Sequence, residues 1–182
     1  MSNHLSLSRT RMRPGDLLPH AAGNAHGAVG DDNRAMALRL LHEALTIARG
    51  VAARCERQYC AALRNRSPAL AAAALEHANE AREQADSLGA RITALGGAPA
   101  APAEVGASRI PAEPRDSHSL VAVIGGYLLA EHATIESYRQ IATLMESCDA
   151  PTQRLLEGIL SGEEERASHL AALLDQASAP PA

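Results

Sequence analysis

Apolar residues recur along this chain at alternating intervals of three and four, the spacing that lines one face of an α-helix. Between 32 and 66 the stripe is Leu38, Leu41, Leu45, Ala48, Ala52, Cys55, Tyr59 and Ala62, and the Asn65-Arg66-Ser67-Pro68 stretch ends it. Ser67 and Pro68 offer an N-cap and a first-turn proline for a second helix, which runs to the Gly96-Gly97 stop. A third helix carries Val121, Ile124, Leu128, Glu131, Ile135, Tyr138, Ala142 and Met145, and stops at Cys148-Asp149-Ala150-Pro151. The fourth carries Leu156, Ile159, Leu170 and Leu173 and ends ahead of the closing Ser-Ala-Pro-Pro-Ala.

The connections then fix the order of packing. Residues 97–117 are proline-rich and show no period. At about 3.3 Å per extended residue such a connector spans the full length of a helix of about 30 residues, so the second and third helices can run parallel. Only a few residues join the third and fourth, which makes them antiparallel neighbours. The pattern predicts an all-α, up-down-down-up four-helix bundle with one long crossover. Residues 1–31 lack a period and read as a flexible N-terminal tail, 32–177 as the bundle, and 178–182 as a C-terminal tail.

Composition supports helices. The chain has 182 residues, no Trp, no Phe and three Tyr, so Ala, Leu, Ile and Val must fill the core. A net charge of −4 gives no general attraction to nucleic acid or to an anionic membrane. No run of 18 apolar residues occurs, and the first 30 residues hold no continuous apolar segment, so neither a membrane span nor a secretory signal is expected and the compartment reads as cytoplasmic. The three cysteines, Cys55, Cys60 and Cys148, lack C-x-x-C spacing and read as thiols of a reducing compartment.

Polarity breaks the apolar stripes at a few positions: His77 and Gln84 on the second helix, Glu131 on the third, Glu163 and Arg166 on the fourth, and none on the first. The middles of four such helices meet at one level, so Glu131, Glu163, Arg166 and Gln84 are expected to share one buried pocket. An unpaired buried ion costs several kcal/mol, so Arg166 reads as the counter-ion of the two carboxylates, bonding Glu163 three residues back and reaching Glu131 across the bundle. His77 reads as a satisfied core histidine rather than half of a Cys55/His77 metal site. His132 and Glu136, at i and i+4 on the third helix, read as an exposed face rather than a metal pair. No phosphate loop, H-E-x-x-H motif or Ser-His-Asp order is present.

Four segments, LLHEAL, LEHANEAREQADSLGARITALGG, LLAEHATIESYRQIATLM and LLEGILSGEEERASHLAALL, resemble the bacterioferritin-like branch of the ferritin superfamily, in the right order and across residues 35–176. The resemblance implies a ferritin-like bundle that oxidises and stores iron at a di-iron centre built from one Glu on each of two helices and a Glu-x-x-His pair on each of the others. Carried over by position, the first-helix glutamate falls on Ala48 and the second-helix pair on Ala81 and Gln84. The third-helix glutamate is retained as Glu131. On the fourth helix Glu163 is retained, and the histidine is Arg166. The haem-ligating methionine position holds Arg82, which implies no haem.

The resulting expectation is a structural, non-ferroxidase protein of the iron-storage lineage, without catalytic residues or a cofactor, forming a homo-oligomer or pairing with another ferritin-like subunit. Two alternatives stand beside it. One is an iron-binding protein that keeps a reduced metal site at Glu131 and Glu163. The other is a DNA-coating cage using Arg9, Arg11 and Arg13 of the tail, disfavoured by the acidic bundle.

Overall fold

The computed structural model describes residues 24–101 and 119–179. These form four helices, α1 (Asn24–Arg64), α2 (Pro68–Ala94), α3 (Leu120–Met145) and α4 (Ala150–Ser178), with no strand among the described residues. Helix α1 begins at Asn24, inside the segment expected to be tail. That start is hidden in the sequence because Gly27 and Gly30 interrupt a stretch without an apolar stripe. Arg9, Arg11 and Arg13 lie outside the described residues, as does most of the 97–117 connector.

The helix ends follow local chemistry. Between α1 and α2 the chain turns through Arg66, which takes φ 53. The Ser67 side chain then accepts from the Leu70 amide at 3.4 Å, and Pro68 opens α2. Gly96, at φ +75, closes α2: its amide donates to the Thr93 carbonyl at 2.8 Å, and the Gly97 amide donates to the Ile92 carbonyl at 2.9 Å. A Cβ on Gly97 would stand 2.7 Å from Leu38 Cδ2, so the small residue lets α1 pass close by. Asp149 caps α4 by accepting from the Thr152 amide at 3.0 Å. The same carboxylate accepts from Arg91 at 2.6 Å, pinning the end of α2 to the start of α4.

Two apolar clusters give the helix directions. At one end Leu41, Leu45, Leu88, Ile92, Ile141, Met145, Leu156 and Ile159 pack together. At the other, Ala62, Leu70, Ile124, Tyr127, Leu170 and Leu173 do. The beginnings of α2 and α3 therefore share one end, as do the end of α1 and the end of α4, which is the up-down-down-up arrangement. The pairs α1–α2 and α3–α4 pack most extensively, while α1 meets α3, and α2 meets α4, over smaller faces. Val121, placed on the core stripe by spacing, is exposed, and Tyr127 is buried instead. No helix of the described residues is long and apolar enough to cross a membrane.

Candidate functional site

Between the two apolar clusters the bundle becomes small and charged. Val51, Ala52, Cys55, Ala78 and Ala81 pack at this level. Ala48 and Ala81 are both 0% exposed. Short side chains on α1 and α2 leave room for long ones from α3 and α4. Into it come Glu131, Glu163 and Arg166, at 2%, 0% and 3% exposure.

Arg166 is the centre of the arrangement. Its Nη2 donates to Glu163 Oε1 one turn back on α4, its Nε to Glu131 Oε1 at 3.4 Å on α3, and its Nη1 to Glu80 Oε2 at 2.8 Å on α2. A planar guanidinium serves the three carboxylates on three helices from three separate nitrogens, a spread that the single nitrogen of an ammonium does not have. Gln84 completes the group: with its amide turned to satisfy both ends, it donates to Glu163 Oε1 at 3.1 Å and accepts from Arg166 Nη2 at 3.2 Å.

The four residues expected to share a pocket are thus brought together, but two further partners belong to it. Arg54 Nη2 on α1 donates to Glu131 Oε2 at 2.8 Å and to Thr134 Oγ1 at 3.1 Å. Glu80 lies at the groove edge with its side chain 48% exposed. The expectation that α1 contributes no polarity is corrected: Gln58 is 1% exposed, and the Arg54 side chain only 12%. Arg54 escaped the stripe analysis because it stands one position before Cys55, off the apolar line. Its long stem carries the charge inward from there. Arg166 is accordingly not the sole counter-ion of the carboxylates.

Protonation follows from this crowding. Burial, followed by the hydrogen bond with Glu131, pushes the Glu163 carboxyl up to about 8. Burial also raises Glu131, but the Glu163 hydrogen bond and the Arg54 and Arg166 guanidiniums outweigh it and hold that carboxyl below its ordinary value. The pair therefore keeps one proton at neutral pH, carried by Glu163. Glu163 Oε2 is buried and has no hydrogen-bond partner among the described residues. The Arg54 and Arg166 guanidiniums then face the Glu131 and Glu80 side chains, two formal charges of each sign. Arg166 stays charged, because its three carboxylate neighbours outweigh the burial that opposes its charge.

The other candidates are placed as follows. Cys55 is buried, and desolvation pushes its thiol up to about 11, which leaves it protonated and unreactive. Cys60 is exposed and Cys148 half-buried, and all three thiols are free. The Tyr138 hydroxyl donates to the Ala44 carbonyl at 3.4 Å and is raised by burial beyond any physiological titration. His132 and Glu136 are both exposed, and Glu136 is engaged by Gln140 at 3.0 Å. Arg82 is exposed and pairs with Glu56 across the α1–α2 surface. His77 is buried, but its neighbour is His169 on α4 rather than Cys55, at a ring-centroid distance of 6.0 Å. Among the described residues no group of three or more His, Cys, Asp or Glu side chains stands ready to hold a metal ion.

Comparison with solved structures gives the same architecture. A point mutant of Dps1 from Mycobacterium smegmatis superposes with a TM-score of 0.72 at 18% identity, covering 79% of this chain and 98% of that one. A bacterioferritin from Desulfovibrio desulfuricans, solved to show its diiron site in different catalytic states, superposes with a TM-score of 0.67 at 20% identity, covering 84% of this chain and 92% of that one. No curated protein sequence matches the chain. A ferritin-like domain model matches residues 59–179, all of α2, α3 and α4 and the close of α1, and the chain belongs to the ferritin-like domain family.

Proposed function

We propose that this chain is a structural subunit of a ferritin-like assembly, of the bacterioferritin-like branch, in which an internal ion network stands where a di-iron oxidation centre would lie. The observation that carries the reading is the Arg166 guanidinium bonded to Glu163, Glu131 and Glu80, with Arg54 on the second oxygen of Glu131. A di-iron centre needs carboxylates and imidazoles free to donate lone pairs to two cations. Here two fixed cations already take those lone pairs, and one of the two carboxyls keeps its proton. Ala48 and Ala81 offer no donor atom, and Gln84 offers only a weak amide oxygen already engaged by Arg166. This donor set does not fit two irons.

A network of this kind ties all four helices together at mid-height, which suits a subunit whose task is to keep its shape within an assembly. We read that assembly as cytoplasmic, in keeping with three free thiols. It is formed either by copies of this chain or with a ferritin-like partner that supplies the iron chemistry. The test supplies Fe²⁺ and oxygen as substrates to the purified chain, alongside native mass measurement and metal analysis. Oxidation no faster than in buffer, from a discrete oligomer, supports the reading. A saturable fast phase at two irons per chain overturns it, as does stoichiometric iron retained at Glu131 and Glu163.

A further inference from the structure

A groove of about 570 Å³ opens between α2 and α4, where the two helices make their smaller contact, and His77, Glu80, Arg166 and His169 line it. Arg166 forms the wall between this groove and the bundle interior, turning Nη1 outward to Glu80 and Nη2 inward to Glu163. We propose that the groove binds one divalent transition-metal ion through the imidazoles of His77 and His169. The site is separate from the interior carboxylates, and it stands whether or not the structural reading above holds.

The first ground is the state of His77. Its side chain is only 5% exposed, yet neither ring nitrogen forms a hydrogen bond with the described residues; Arg166 and the His169 ring face it across the groove. Burial, then Arg166, pushes this ring down to about 4, so it is neutral and its lone pair is free. A neutral imidazole without a partner, facing a groove, is a metal ligand in waiting.

The second ground is geometry. The two rings meet edge to face at 81° with centroids 6.0 Å apart. Two imidazoles bound to one ion through bonds of about 2.0–2.1 Å hold their centroids roughly 5–6 Å apart, and the spacing of these two rings matches that range. The groove is also acidic: Glu76, Glu80, Glu83 and Glu165 line it against Arg154 and Arg166, and an excess of carboxylates draws in cations. Two imidazoles with water completing the shell favour Cu²⁺ and Zn²⁺ over Fe²⁺.

The test uses the full chain stripped of metal with EDTA. Because other histidines also bind Zn²⁺ weakly, the readout is specific to the site: side-chain imidazole nitrogen signals of His77 and His169 in a Zn²⁺ titration, and the electron paramagnetic resonance spectrum with one equivalent of Cu²⁺. Both rings should shift together, saturating at one Zn²⁺, and Cu²⁺ should show two coupled nitrogens. H169Q, at an exposed position that folding tolerates, should weaken the tight phase at least tenfold. H132Q, on the exposed face of α3, should not change it. If H169Q binds as the unaltered chain does, or if Zn²⁺ moves other histidine signals and leaves the His77 ring alone, the proposal is overturned.

Discussion

Arg54 Nη2 lies 2.8 Å from Glu131 Oε2, a bond between α1 and α3, two helices that meet over one of the smaller faces of the bundle. It gives Glu131 a second cation on the oxygen opposite the one that Arg166 approaches. With both in place, an ionised carboxylate at 2% exposure is stable in the middle of the bundle. Removing one partner of a buried pair commonly costs about 3–5 kcal/mol, most of it the penalty of stranding the other charge. R54L should therefore lose stability in that range in a urea titration, and combining it with E131Q should return a coupling energy of about 1–3 kcal/mol. A neutral R54L would mean that the guanidinium is solvated and does not serve Glu131.

Arg166 is expected to behave differently, because three carboxylates depend on it. R166L should cost at least as much as R54L, about 3–5 kcal/mol, by leaving Glu131 and Glu163 facing each other with one cation fewer. Converting both carboxylates to Gln in the R166L background should recover only part of that loss, since the Arg54 guanidinium then loses Glu131. R166K should recover little, because one ammonium cannot reach α2, α3 and its own helix together. Denaturant midpoints of the four proteins decide it. A neutral R166L would place the guanidinium in solvent and remove the argument.

The sequence exposed this site unevenly, for physical reasons. Glu163 and Arg166 stand on the apolar line of α4 three residues apart, so periodicity alone marks them as buried and paired. Glu131 is marked in the same way on α3. Arg54 and Glu80 are not: each flanks a buried small residue, Cys55 or Ala81, and enters the network through a long side chain whose reach periodicity does not describe. The His77–His169 pairing needs the antiparallel register of α2 against α4, which one-helix patterns do not contain. Helix ends were legible where a residue dictates backbone geometry, as at Ser67-Pro68 and Gly96. They were illegible at Asn24, where no such residue stands.

The tail carries its own expectation. Arg9, Arg11 and Arg13 against Asp16 amount to +2, leaving −6 of the net −4 on the remainder of the chain. Three arginines neutralise at most a few phosphates, and the acidic remainder opposes close approach. No DNA should be retained in a gel shift at about 0.15 M salt, where the Debye length is about 8 Å. Retention that disappears when residues 1–30 are deleted would favour a DNA-coating role.

Stability should peak on the acid side of neutrality, because two buried groups titrate in opposite senses. Glu163 faces Glu131, Arg54, Arg166 and Gln84, and its folded value of about 8 lies above its ordinary 4.5. Between those limits the folded chain holds a proton that the unfolded chain has released, so stability falls as pH rises. His77 faces Arg166 and His169, and its folded value of about 4 lies below its ordinary 6.5. Between those limits the unfolded chain holds the extra proton, so stability rises with pH. From 4.5 to 6.5 the two effects cancel and the curve is flat. From 6.5 to 8 only Glu163 acts, and stability falls as pH rises. Below 4.5 Glu131 and Asp149, both held below their ordinary values by hydrogen bonds and arginines, gain protons on unfolding, and stability drops again. The measurement is urea unfolding of the metal-free chain from pH 3.5 to 8.5. H77Q removes the opposing term, so its stability should decline continuously from 4.5 to 8 in place of the plateau. E163Q should abolish the loss between 6.5 and 8. A wild-type curve that rises through that last interval would show that Glu163 is ionised at neutral pH, and the balanced four-charge network would have to be redrawn with an uncompensated carboxylate.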